Sequence, residues 1–271
     1  MMFARLRFLV FVVLVLGAPA ALMGAGDPRL IDPGKLALIL GPAVAGLALN
    51  PGFGPKRGRI DWRAVGGAGL ITLIIAALAV SVALVAGAAG FGGPRLESSA
   101  AVAALGGTLL TSVLEEVGWA LGGLALAIKA FGRRWGVLML GLVWAAWHLV
   151  PVWFRIGLFP DLEAASPLML AIFVVTCVLY RELLTRFVER SRTWLGAALG
   201  HAAPNILITA LIAQGLDPLA KAEAWFLFPA PGGLVFAGLV AVALVMLARK
   251  AHLHRWWAGS ARARSNRCDR G

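Results

Sequence analysis

Charge is scarce in this 271-residue sequence: 14% of residues are charged, only 13 are acidic, and 60% are hydrophobic. Mean hydropathy is +0.85. A composition this apolar excludes an ordinary soluble domain. Cysteine is almost absent; Cys177 lies in an apolar run and Cys268 near the C-terminus, which leaves no disulfide framework. No ten-residue stretches alternate apolar and polar side chains, so a transmembrane barrel is excluded as well. The chain has no Walker-type loop, no internal repeat and no soluble second domain.

What remains is long apolar runs. A bilayer core about 30 Å thick needs roughly 20 apolar residues per helix, and backbone groups in lipid must be paired within the segment. The expected fold class is therefore all-α, a polytopic helical membrane protein with about eight transmembrane helices. The runs lie at about Phe8 to Met23, Lys35 to Leu49, Ala64 to Phe91, Ser98 to Ile128, Trp135 to Phe154, Pro167 to Phe187, Trp194 to Ala213 and Gly232 to Ala248. The second is short for a span. Breaks at Asn50-Pro51-Gly52, Gly92-Gly93-Pro94 and Pro229-Ala230-Pro231-Gly232 separate them.

Basic residues test this topology, because Lys and Arg accumulate in short cytoplasmic loops. With the N-terminus inside and eight crossings, all but five of the 25 Lys and Arg fall on the cytoplasmic side; the five are Arg29, Lys35, Arg95, Arg155 and Lys221. The formal net charge of +12 then follows from orientation plus a basic tail, Arg249 to Arg270, suited to anionic lipid. Nucleic acid is not an expected partner; the bilayer is. Arg5 and Arg7 before an apolar run resemble a secretory signal, but the charge balance favours an uncleaved first helix. Cys268, fourth from the end, is followed by charged residues where a prenylation box needs aliphatic ones.

Ionisable groups near a bilayer centre are costly and ask for partners. Within the spans these are Glu115 and Glu116 in the fourth, His148 in the fifth and His201 in the seventh, joined there by the amide Asn205. Arg181 and Glu182 are read as lying near a cytoplasmic helix end, where they can snorkel. Counted from the cytoplasmic ends, Glu115 and His148 each lie roughly 20 Å deep, Asn205 roughly 16 Å and His201 roughly 10 Å. His201 and Asn205, four apart, share one helical face, while Glu115 and Glu116 point about 100° apart. Glu, two His and an amide can hold a zinc ion with a water, or activate water directly while Asn steadies an oxyanion. Each residue alone also has a structural role open to it. A Glu–His pair can pin two helices, His201 can be a satisfied core histidine, and Asn205 can be interhelical glue. Trp119, Trp144 and Trp147 are read as packing residues, and Gly106-Gly107 and Gly122-Gly123 as sites of close helix contact.

In order, TSVLEEVGWALGG, GLVWAAWHLVP and SRTWLGAALGHAAPN resemble the three motifs of the CPBP family of intramembrane proteases, also called the CAAX protease and bacteriocin-processing, or Abi, family. The similarity runs from about Thr108 to Ala210. It divides the chain into N-terminal helices (1–107), a CPBP-like core (108–210), a last helix with its loop (211–248) and the basic tail (249–271). The family pattern is a Glu pair with Arg four positions after the second Glu, then an aromatic ahead of a His, then a His with Asn or Asp four later. These fall on Glu115 and Glu116, on Trp144 and His148, and on His201 and Asn205. Ala120 stands where the family has Arg, and Trp144 where it usually has Phe.

The resemblance implies a membrane-embedded peptidase acting on a membrane-associated or prenylated-type peptide. Glu115 is then expected to activate water with Glu116 supporting it, and Asn205 to bind the oxyanion. His148 and His201 would position the water, or bind zinc together with Glu115. With Ala120 in place of Arg and no other cation within a turn in that span, a metal is one source of positive charge; the other reading is a weakened relative acting as an immunity or scaffold protein. A proton-coupled transporter is the rival from a different class. The Arg-rich, Ala- and Gly-heavy composition points to a high-GC bacterium and its plasma membrane, with both termini cytoplasmic.

Overall fold

The computed structural model describes residues 2–50, 59–94, 96–217 and 233–249. Lys56, Arg57, Arg95, Lys221, the Pro229 to Gly232 break and the basic tail beyond Arg249 lie outside the described residues, as does Cys268. The protein is an all-α polytopic membrane protein. Helix α1 (Met2–Gly24) and α2 (Ile31–Leu49, entered through a turn at Pro28–Leu30) are followed by α3 (Trp62–Val85) and α4 (Ser98–Glu116). A π-helical turn, Val117–Gly123, carries α4 into α5 (Leu124–Trp153). Then come the short α6 (Pro160–Glu163), α7 (Pro167–Ser191), α8 (Leu195–Ala213) and the apolar α9 (Leu234–Arg249).

Among the described residues, six helical segments are long and apolar enough to cross a membrane. One is the 56-residue Ser98–Trp153, which contains the fourth and fifth expected spans. They are separated at Gly132, whose φ of 76° and ψ of 169° only glycine adopts readily, so the chain reverses there without a loop. The second span is longer than expected: it starts at Pro28, and Asp32 and Lys35 are taken into its first turns as an ion pair 3.2 Å apart. The third ends earlier, at Val85, and Gly90–Phe91 forms instead a two-residue strand, β1, paired antiparallel with β2 (Leu216–Asp217).

Side chains are arranged as lipid demands. On α3, Leu70, Ile74, Leu78 and Val82 form an exposed stripe at four-residue spacing, while Ala68, Thr72, Ala76, Ala79 and Ala83 are buried. The apolar surface faces outward and small residues let the backbones approach. Gly118 and Gly122 lie against the backbone of Pro42 and Gly46 on α2, too close to admit a methyl group. Gly106 and Gly107, expected to do the same, have open space beside them; they are exposed on α4.

Basic side chains gather at one end of the bundle. Arg5 Nε donates to the Ala130 carbonyl at 3.5 Å, and Arg133 bridges Glu182 and Glu189 at 3.0 and 2.7 Å. Arg186 holds Glu182 at 2.8 Å, and Arg190 Nη2 donates to the Leu247 carbonyl at 3.0 Å. The Asp61 amide donates to the Ser191 carbonyl at 3.1 Å. These contacts bring the start of α1, the start of α3, the Gly132 turn and the ends of α7 and α9 together.

Candidate functional site

Glu116 closes α4 just before the π-helical turn, a wider coil that recurs at functional positions. Its carboxylate is fully buried and saturated. Arg181 of α7 donates Nη1 to Oε2 at 2.7 Å and Nη2 to Oε1 at 2.9 Å, a bidentate pair. His201 Nδ1 lies 3.0 Å from the same Oε1. A carboxylate only accepts, so Nδ1 carries the proton, and in the neutral imidazole Nε2 is left as an acceptor.

Arg181 is thus no snorkelling residue, contrary to the sequence reading: it is 1% exposed. Helix α7 continues to Ser191, beyond the expected end at Phe187, which sets Arg181 almost three turns, about 15 Å, inside. Its guanidinium carbon sits 4.2 Å from the centroid of the Trp144 ring, whose face supports the cation. Ala120, four residues after Glu116, supplies no charge, and the positive charge reaches Glu116 from a different helix.

Glu115 is half-buried. One of its oxygens, Oε2, accepts the indole N–H of Trp144 at 3.3 Å, and no other described side chain bonds it. Trp144 is therefore more than packing, and a Phe at its place has no N–H to give. The Trp144 ring also lies edge-on to both His148 and His201, with centroids 5.2 and 5.3 Å away. Trp119 and Trp147 do pack as expected, 5.9 Å apart, with the Trp147 indole donating to the Leu38 carbonyl at 2.9 Å.

His148 stands apart from the carboxylates. Its Nδ1 donates to the Trp144 carbonyl at 2.9 Å, which again leaves Nε2 as the acceptor, and its ring packs against Trp147, Phe159 and Phe173. Asn205 Nδ2 donates to Ser112 Oγ at 3.2 Å. One turn further, Thr108 and Thr209 share a hydroxyl hydrogen bond of 3.1 Å. Three rungs, Glu116–His201, Ser112–Asn205 and Thr108–Thr209, thus run along the seam between α4 and α8. The spacing is four residues on each strand of the seam, in opposite directions, as antiparallel helices require. Tyr180 fixes the neighbouring helix pair by donating to the Gly200 carbonyl at 2.7 Å.

The arrangement separates into two parts. Glu116, Arg181 and His201 are closed off from solvent, whereas Glu115, His148 and Asn205 keep partial exposure. In the inner trio both Glu116 oxygens are bonded, while Arg181 Nε has no partner among the described residues and His201 Nε2 is left as an acceptor; the outer residues also have unused acceptors and donors. Among the described residues, no three His, Cys, Asp or Glu side chains are placed to hold a metal ion. Glu115, His148 and His201, the trio expected to hold zinc, form no such cluster as arranged. Glu115, Glu116, His201 and Asn205 lie in one region, joined by Arg181, which the sequence places at a helix end, and by Ser112, Thr108 and Thr209, which it does not mark out. No family model and no curated protein matches the chain.

Proposed function

We propose that this chain is an intramembrane peptidase of the CPBP type, cleaving a peptide bond in a membrane-associated or prenylated-type peptide. The observation that carries the reading is the convergence of residues from three motif segments with a buried cation: Glu116 bonded to both His201 and Arg181, and Trp144 bonded to Glu115.

In this reading Glu115 is the base, because it is the carboxylate with an uncommitted oxygen. That oxygen takes a proton from water as the water oxygen bonds to the scissile carbonyl carbon. The second Asn205 amide N–H steadies the oxyanion, and the acceptor Nε2 atoms of His148 and His201 orient the attacking water. The C–N bond then breaks and Glu115 returns its proton to the leaving amine. Glu116, held by Arg181, keeps His201 in one tautomer and one orientation, a role set by position and not by proton transfer. By the positive-inside rule the basic end faces the cytoplasm of a bacterial plasma membrane.

The test is cleavage by purified protein in liposomes, using fluorogenic peptides with free and farnesylated C-terminal ends. Glu115→Gln is expected to lower turnover by about 10² to 10⁴-fold while membrane insertion and thermal stability stay intact. Unchanged turnover in that variant, or no cleavage by the native chain across the peptide set, overturns the reading.

A further inference from the structure

Away from this site, at the basic end of the bundle, a cavity of about 430 Å³ is lined by Arg59, Asp61, Trp62, Arg63, Arg190 and Arg192. Four arginines and one aspartate line it, four positive charges against one negative, and Asp61 Oδ1 accepts the Ala64 amide at 3.0 Å as the N-cap of α3. The positive charge is therefore unbalanced within the cavity wall.

Orientation in the membrane explains why arginines collect at this end, but not why these four share one cavity. Of their neighbours at the same end, Arg133 and Arg186 are committed to Glu182 and Glu189. Arg59, Arg63 and Arg192 make no hydrogen bond or ion pair with the described residues, and Arg190 gives a single N–H to the Leu247 carbonyl. The wall is also held in place. The Asp61 amide bonds the Ser191 carbonyl at 3.1 Å, and Ser191 Oγ lies 2.6 and 2.9 Å from the Phe187 and Thr193 carbonyls. Arg192 then takes a left-handed backbone, φ 60°, which turns the chain between α7 and α8. Trp62, 64% exposed, stands at the rim beside the cluster, the place an amphipathic ring takes at a membrane surface.

We propose that this cavity binds a phosphate-bearing anion. Forked guanidinium groups match phosphate oxygens in geometry as well as charge, and the start of α3 adds the favourable end of a helix dipole. A basic pocket between membrane helices with a tryptophan at its rim suits the headgroup of an anionic lipid, and free inorganic phosphate presents the same oxygens.

Thermal unfolding of the full chain in nanodiscs tests the proposal. One arm adds phosphatidylglycerol to phosphatidylcholine discs, and another adds inorganic phosphate to discs of phosphatidylcholine alone. Stabilisation only with phosphatidylglycerol assigns the lipid headgroup as the source; equal stabilisation by inorganic phosphate assigns the free anion. In Arg63→Gln/Arg192→Gln the apparent affinity is expected to fall about tenfold or more. Arg7→Gln/Arg134→Gln removes the same charge from the same end, outside the cavity, and is expected to keep the native response. No shift in either arm, a shift that survives in Arg63→Gln/Arg192→Gln, or an equal loss in both double variants overturns the proposal.

Discussion

Arg181 and Glu116 form a buried, two-pronged ion pair between α7 and α4, with nitrogen–oxygen distances of 2.7 and 2.9 Å and neither side chain open to solvent. Taking two such charges out of water costs several kcal/mol per ion, and their attraction returns this only when the geometry is good and other lone pairs are satisfied. His201 on Oε1 and the Trp144 face beneath the guanidinium meet that condition in part, and Arg181 Nε has no hydrogen-bond partner among the described residues.

Removing one partner should therefore be worse than removing both. Arg181→Met strands a buried carboxylate and is expected to destabilise the protein by about 3 to 5 kcal/mol. The double variant Arg181→Met/Glu116→Gln leaves no unpaired charge and should recover a large part of that loss. Unfolding of the two single variants and the double variant in one detergent measures the coupling. Additive losses would mean that the pair carries no coupling.

Ala120→Arg separates two accounts of where the positive charge beside the glutamates comes from. Ala120 is 4% exposed, and Glu116 already has its guanidinium from Arg181. A second cation at position 120 would be buried with Glu116 already paired, and any pairing with Glu115 would occupy the base, so a loss of stability with no gain in turnover is expected. If the chain were instead weakened by the lack of that residue, peptide cleavage would rise in Ala120→Arg. Turnover normalised to folded protein distinguishes the two outcomes.

The contrast between what the sequence disclosed and what it hid has physical causes. The helices were legible because a span must be apolar over its whole length, and the glutamates, histidines and Asn205 stood out because such groups are rare there. Arg181 was hidden by an end point: with α7 ending at Phe187 it lies near water, and with α7 ending at Ser191 it does not. Ser112, Thr108 and Thr209 were hidden for another reason. A hydroxyl in a membrane helix usually satisfies itself on its own backbone, as Thr72, Ser81, Thr176 and Thr185 do with carbonyls four residues earlier. Composition cannot say which hydroxyls reach across. The repeated four-residue spacing of Thr108, Ser112 and Glu116 against His201, Asn205 and Thr209 is the signal that would have found the seam.

Trp144→Phe isolates a single atom's contribution. The variant keeps an aromatic face for Arg181 but removes the indole N–H, so Glu115 loses its only hydrogen bond to a described side chain. A hydrogen bond to a charged group is worth about 1.5 to 3 kcal/mol, which bounds the effect on turnover at about 10²-fold if it aligns the carboxylate. The loss should fall on kcat and leave KM in place, because the bond orients a base and does not contact substrate. Trp144→Leu, which also takes the ring from beneath Arg181, should lower thermal stability further, by up to about 2 kcal/mol for a desolvated cation–π contact. Equal turnover in Trp144→Phe and the native protein would mean that Glu115 is held by something other than this indole.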